Sequence, residues 1–149
     1  MYRLTALAAA LVIGTGCVYV AEREVVYDSG GSGGTVAPSA DAPFIRDAAA
    51  GCDFDEFNMD EVWWFEADVS HPRGPLEVVQ VWADIWDDRA DALVVSVELF
   101  PEEDPYLWFS DWLGTSLSLD CAYPHYSVDF VAYDTQEDWD AVTVFPYTY

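Results

Sequence analysis

The feature of this sequence that most restricts its fold is an alternation of apolar and polar residues with a period of two. Residues 62–70 show it most clearly, because an apolar side chain stands at every second position from 63 onward. Those side chains are Trp63, Phe65, Ala67 and Val69. Successive side chains of a β-strand point to opposite faces, so the pattern predicts a strand with one buried face. The same pattern recurs at 76–87, 93–100, 117–121, 126–133 and 141–147.

Segments rich in turn-forming residues separate these strands. They occupy 71–75, 87–91, 101–105 and 134–138. Residues 105–114 break the alternation, and their sequence is compatible with a strand or with a short helical turn. Six or seven short strands at this spacing predict an all-β protein, built as an antiparallel sandwich of two sheets.

The N-terminus has the pattern of a secretory signal. A short start that contains Arg3 precedes an apolar stretch at 4–14, and small residues then lead to Cys17. The segment resembles the signal peptide of a bacterial lipoprotein, and the resemblance implies cleavage after Gly16 and lipidation of Cys17. Two alternatives remain. One is an uncleaved anchor over 4–21, close to the ~20 residues that span a bilayer, and the other is a secretory signal cleaved elsewhere.

A spacer follows the predicted lipidation site. Residues 28–34 are Asp, Ser and Gly, and residues 35–43 continue with small residues and two prolines. Such a composition is typical of a flexible linker. The sequence therefore predicts three parts: a signal peptide at 1–16, a lipidated N-terminus with its linker at 17–43, and a domain at 44–149.

The domain sequence resembles immunoglobulin-like and fibronectin III-like modules. Residues 126–134 are similar to strand F of those domains, because Tyr126 opens the strand and alternating apolar residues follow. Residues 63–69, a Gly/Pro turn and residues 78–82 are similar to strands B and C. The antibody-type cysteine is replaced by Val128, so the resemblance is to a bacterial Ig-like sandwich of about seven strands. It implies a module for adhesion, spacing or binding rather than catalysis.

The cysteine count bears on the redox compartment. The chain has three cysteines, Cys17, Cys52 and Cys121. If Cys17 carries lipid, an even pair remains in an oxidising compartment, and a Cys52–Cys121 disulfide is the default prediction. The alternative is two unpaired buried thiols. A zinc site is not expected, because no CxxC or paired-histidine pattern accompanies these residues.

The charge of the chain restricts the classes of partner that it can bind. There are 28 Asp and Glu residues against five Lys and Arg, and the formal net charge is −23. This balance argues against nucleic acid, because phosphate binding needs cationic side chains. Four carboxylates in one tight turn could bind a hard cation such as Ca²⁺. They are Asp134, Glu137, Asp138 and Asp140. The alternative is a solvated acidic surface, which selection for solubility or for a high-salt environment would favour.

Three tryptophans fall on faces that the alternation predicts to be exposed. They are Trp64, Trp82 and Trp86. If residues 62–86 form a hairpin about Arg73, Trp64 lies directly opposite Trp82. Adjacent exposed indoles make a platform on which sugar rings or aromatic groups stack. Three alternatives remain: other segments cover the face, the two strands belong to different sheets, or the indoles shield sheet edges.

Catalysis is not indicated by the motifs. The two histidines, His71 and His125, lie in turn-like settings, and the chain has no HExxH or P-loop motif. The sequence therefore predicts a non-enzymatic lipoprotein, anchored by lipid in the bacterial cell envelope and facing away from the cytoplasm. Val18 after the cysteine implies, by the same resemblance, the outer membrane. The Ig-like domain would serve as an interaction or structural module for another envelope protein. The alternative function is binding of a glycan or a cation.

Overall fold

The structure, a computed structural model, describes residues 40–147, and the predicted signal peptide, Cys17 and most of the linker lie outside them. The described chain forms seven strands. They are β1 (Phe44–Asp55), β2 (Asp60–Ser70), β3 (Val78–Asp87), β4 (Ala92–Pro101), β5 (Leu107–Leu113), β6 (Tyr126–Asp134) and β7 (Trp139–Val144). A 3-10 turn at Pro75–Glu77 and a short helix, α1 (Gly114–Leu117), complete the secondary structure. The predicted all-β class of about seven antiparallel strands is confirmed.

The strands form one hydrogen-bonded sheet in the order β1-β2-β5-β4-β3-β6-β7. This sheet is folded into two parts that pack against each other. The first part is β1, β2 and β5, and the second is β4, β3, β6 and β7. Two residue pairs join the parts between β4 and β5. On the opposite side the backbone of Tyr147 bonds to β1, because its N–H donates to Ala50 (2.9 Å) and its carbonyl accepts from Cys52 (3.0 Å). The sheet therefore comes close to closing on itself.

The apolar faces predicted from the alternation form the core between the two parts. The predicted apolar face of β2 is fully buried, and the same holds for most of the inward positions of β3 and β6. The inward residues of these three strands are Trp63, Phe65, Ala67, Val69, Val81, Ala83, Ile85, Val128, Phe130 and Ala132. Each large apolar side chain buried in this way stabilises the fold by roughly 1.5–3 kcal/mol.

Two parts of the strand prediction differ from the structure. β1 is absent from the prediction, because its centre is a run of alanines and Gly51 that shows no alternation. Residues 117–121 alternate like a strand, but they form the end of α1 and a turn. There Ser118 adopts a left-handed φ of 58°, and the N–H of Leu119 bonds back to Gly114 (3.1 Å). Residues 105–114, for which two readings were open, contain strand β5.

The antiparallel order places alternate connections at opposite ends of the domain. The chain enters at Phe44, at an end that also holds the β2–β3, β4–β5 and β6–β7 connections. We call this the entry end. The β1–β2 hairpin, the β3–β4 turn and residues 114–125 lie at the other, or distal, end. The 12 residues of β1 separate the two ends by about 37 Å.

The disulfide predicted from the sequence is present at the distal end. Cys52 of β1 and Cys121 of the β5–β6 connection are bonded, with their Cα atoms 5.8 Å apart and a separation of 69 in sequence. The carboxylate of Glu61 on β2 accepts a hydrogen bond from the N–H of Cys121 (2.9 Å). The long connection is therefore fixed to both β1 and β2.

Removing this disulfide should lower the free energy of unfolding by about 4 kcal/mol, because a loop of this length restricts the unfolded chain strongly. We expect that loss in the Cys52→Ala/Cys121→Ala double variant, measured by urea unfolding with tryptophan fluorescence. Dithiothreitol should destabilise the unmodified protein by a similar amount and leave the double variant unchanged. A double variant as stable as the parent would contradict the prediction.

Candidate functional site

The three tryptophans of the predicted platform do not come together. β2, which carries Trp64, pairs with β1 and β5, whereas β3, which carries Trp82 and Trp86, pairs with β4 and β6. The hairpin assumed for residues 62–86 is therefore wrong. The connection at residues 71–77 carries the chain from one part of the sheet to the other, so the two strands belong to different parts, which was one of the open alternatives.

Trp64 packs on its own sheet. It lies directly opposite Gly51 in the β1–β2 pairing, and any Cβ at position 51 would overlap its indole. Its Nε1 donates a hydrogen bond to the carboxylate of Asp53 (3.1 Å). A glycine covered by a cross-strand aromatic ring is a known device for stabilising a strand that lacks a side chain. Trp64 therefore has a structural role.

Asp84 lies between Trp82 and Trp86 on the outer side of β3. Trp86 and Asp84 are buried, with 9% and 8% of their surfaces exposed, and Trp82 is half-buried. Asp84 is directly opposite Asp129 of β6 and Ser96 of β4. Burial raises the pKa of Asp84, a hydrogen bond from Ser96 lowers it in part, and the nearby Asp129 raises it again. The ionised form of Asp84 is therefore disfavoured by the fold.

The loop predicted to bind a cation is tied instead to the β2–β3 connection. The buried carboxylate of Asp134 accepts hydrogen bonds from His71 Nε2 (3.1 Å) and from the Arg73 guanidinium (3.1 Å). It also accepts the backbone N–H groups of Gln136 (2.8 Å) and Asp138 (2.9 Å). The N–H of Arg73 donates to His71 Nδ1 (3.0 Å), which assigns the proton of the neutral ring to Nε2. This cluster fastens two connections at the entry end.

The pKa of Asp134 follows from these contacts. Burial opposes its ionisation, but hydrogen bonds from His71 and from the backbone of Gln136 and Asp138 outweigh that effect. The pKa therefore lies below its usual value. Asp134 is an ionised structural carboxylate whose acceptor positions are filled by four donors.

The four acidic residues of the loop do not assemble a cation site. Asp134 is engaged as described, and Asp140 accepts the backbone N–H of Ile45 (2.9 Å). No three of the four carboxylates bring oxygen atoms within 4.8 Å of one another. In residues 40–147 a single group of three potential ligands is that close, and it is Cys52, Glu61 and Cys121. The two sulfur atoms of that group are already joined in the disulfide.

A feature that the sequence analysis missed lies at the tip of the β1–β2 hairpin. Phe57, Met59 and Phe54 are 93%, 74% and 59% exposed, and we call these three residues the apolar tip. The carboxylate of Asp55 accepts hydrogen bonds from the N–H of Phe57 (2.8 Å) and from the Asn58 amide (2.6 Å). The turn is therefore held by its own side chains. Two phenylalanines and a methionine inside a charged turn are the signal that would have found it.

Comparisons with known proteins do not assign this chain to a family. No family model, curated protein or solved structure matches it. Between residues 40 and 147 no helix has the length and apolar character needed to cross a membrane.

Replacing the buried carboxylate of the entry-end cluster should destabilise the protein. We expect Asp134→Asn to lower the free energy of unfolding by about 2–3 kcal/mol at pH 7, because Asn cannot satisfy the same four donors. The folded pKa is depressed, so the contribution of Asp134 is full above pH 3.8 and is lost as the pH falls through the folded value.

Urea unfolding between pH 7 and pH 2.5 checks this expectation. The control is Glu137→Gln, which removes an exposed carboxylate from the same loop and should change stability little. Equal effects of the two substitutions, or a difference independent of pH, would show that the cluster contributes nothing specific.

Neutralising Asp84 should have the opposite effect. Its folded pKa is raised, so its ionisation destabilises the protein above that value and ceases to matter as the pH falls to 3.8. We expect Asp84→Asn to raise the free energy of unfolding at pH 7.5 by on the order of 1 kcal/mol, with no gain left below pH 3.8. Thermal unfolding at both pH values measures it, with the exposed Glu103→Gln as control. A loss of stability at pH 7.5 would contradict this account.

Proposed function

We propose that this chain is a lipid-anchored protein of the bacterial cell envelope, and that its extracytoplasmic Ig-like domain is a non-enzymatic interaction module. The observation that carries the proposal is the Cys52–Cys121 disulfide. Stable disulfides are typical of oxidising compartments, which favours export. The pairing also leaves Cys17 as the one remaining cysteine of the sequence, directly after a small residue at the end of an apolar stretch.

The Ig-like part of the proposal is supported by Tyr126. This residue opens β6, and its ring packs edge-on against Trp63 (centroids 5.7 Å apart). Ig-like sandwiches also carry a tyrosine near the start of strand F. β2 and β3 lie in different parts of the sheet, as strands B and C do in those domains.

An interaction role is supported by how the polar groups of the domain are used. The imidazole of His71 is buried and bonded on both nitrogens, so it holds connections together. The structure does not provide the sites on which the glycan and cation alternatives were based. Trp64 lies in a different part of the sheet from Trp82 and Trp86, and four donors already fill the acceptor positions of Asp134. What the domain presents to solvent is an acidic surface that carries the apolar tip and further exposed apolar side chains, among them Leu76 and Phe145.

Lipid attachment is tested directly at Cys17. In a Gram-negative expression host, the full chain should incorporate labelled palmitate, and Cys17→Ser should abolish the label completely, because the thiol is the acceptor. The signal peptidase II inhibitor globomycin should cause the precursor to accumulate. The matched control is the Cys52→Ala/Cys121→Ala variant, which should keep its label. Labelling that survives in Cys17→Ser would overturn the anchoring proposal.

A further inference from the structure

We propose that the apolar tip is the docking element of this domain, and that its partner is an envelope protein with an apolar cleft rimmed by Lys or Arg side chains. The tip consists of Phe54, Phe57 and Met59 on the hairpin between β1 and β2.

The exposure of the tip is unusual for a turn. Phe57 is 93% exposed although its neighbours in the turn are polar or charged. A turn of this kind does not need apolar side chains for its backbone conformation, since Asp and Asn supply the stabilising contacts. Exposed aromatic and methionine side chains are the residues that serve most often as anchors in protein interfaces.

The hairpin holds its apolar side chains on an ordered turn. Asp55 fixes the turn through Phe57 and Asn58, and the carboxylate of Asp60 accepts a hydrogen bond from Thr115 of α1 (2.5 Å). The disulfide at Cys52 lies two residues before Phe54. A partner therefore meets an ordered element, and little conformational entropy is lost on binding.

Charge selects the kind of partner. Residues 53–61 include five carboxylates and no basic side chain, within a chain of net charge −23. A second copy of this chain would bring like charges together, and an anionic lipid surface would repel the same carboxylates. A cleft rimmed by cationic side chains would instead attract the tip and steer its approach.

The position of the hairpin in the domain also supports a docking role for the tip. The tip is at the distal end, about 37 Å from the chain entry at Phe44 along β1. Residues 17–39 precede the entry end in sequence, so under the proposed lipid anchor the domain is tethered through the end opposite the tip. This step rests on the proposed lipid anchor, whereas the exposure, rigidity and charge of the tip do not.

Site-specific photo-crosslinking of the full chain tests the proposal. The probe is p-benzoylphenylalanine in place of Phe57, irradiated in intact cell envelopes of the source bacterium. The matched control carries the same probe in place of Leu76, which is 89% exposed but lies at the entry end. We expect one discrete protein adduct from position 57, at about tenfold higher yield than from position 76. Because both positions are exposed, neither probe should impair folding, and disulfide formation verifies it.

Three further results are expected if the tip docks as proposed. The adduct should fall about tenfold when Phe54→Ser and Met59→Ser are added to the probe variant, as for the loss of a central anchor. It should also fall with Glu56→Lys and with rising salt. The crosslinked peptide, sequenced by mass spectrometry, should combine apolar residues with Lys or Arg.

Other outcomes overturn the proposal. These are equal yields from positions 57 and 76, an adduct with phospholipid, an adduct with a second copy of the chain, or a crosslinked peptide without basic residues. Palmitate labelling of the same cells separates this result from the anchoring proposal. A labelled chain without the adduct contradicts the docking role alone, and an unlabelled chain with the adduct contradicts the anchor alone.

Discussion

The burial of Trp63 is the interaction on which the rest of the structure depends. Its fully buried ring lies between the two parts of the sheet, stacked near Phe65 of its own strand and edge-on to Tyr126 of the other part. Only two residue pairs of the described strands join the parts at β4 and β5. Apolar contact across the interior, rather than the hydrogen-bond ladder, therefore holds the sandwich together and sets where both ends of the domain lie.

Alternation in the sequence was sufficient to find β2, β3, β4 and β6, because each buries one face against the core. It did not find β1, where a run of alanines leads to Gly51 and the indole of Trp64 on the next strand covers that glycine. It also misread residues 117–121, because a period of two says nothing about the left-handed backbone at Ser118 that turns the chain back. Alternation identifies each strand separately and does not show which strands pair. The hairpin assumed for residues 62–86 is wrong because strand pairing depends on how all the apolar faces pack in the core.

The chemistry of the acidic loop was less predictable than the fold. The sequence shows how many carboxylates a turn contains, but not which donors reach them. The role of Asp134 is set by His71 and Arg73, which come from a connection more than sixty residues away. The apolar tip was missed for a related reason, since exposure is a property of the finished surface. The cysteine pairing was predictable because three cysteines with one assigned to lipid leave a single choice.

The contact between Tyr147 and β1 has a consequence for copies of the protein at high local concentration. β1 is an outermost strand of the sheet, and exposed strand edges recruit further strands from neighbouring chains. By pairing with Ala50 and Cys52, the C-terminal segment occupies part of that edge from within the same molecule. The closing of the sheet thus limits edge-to-edge polymerisation of the protein.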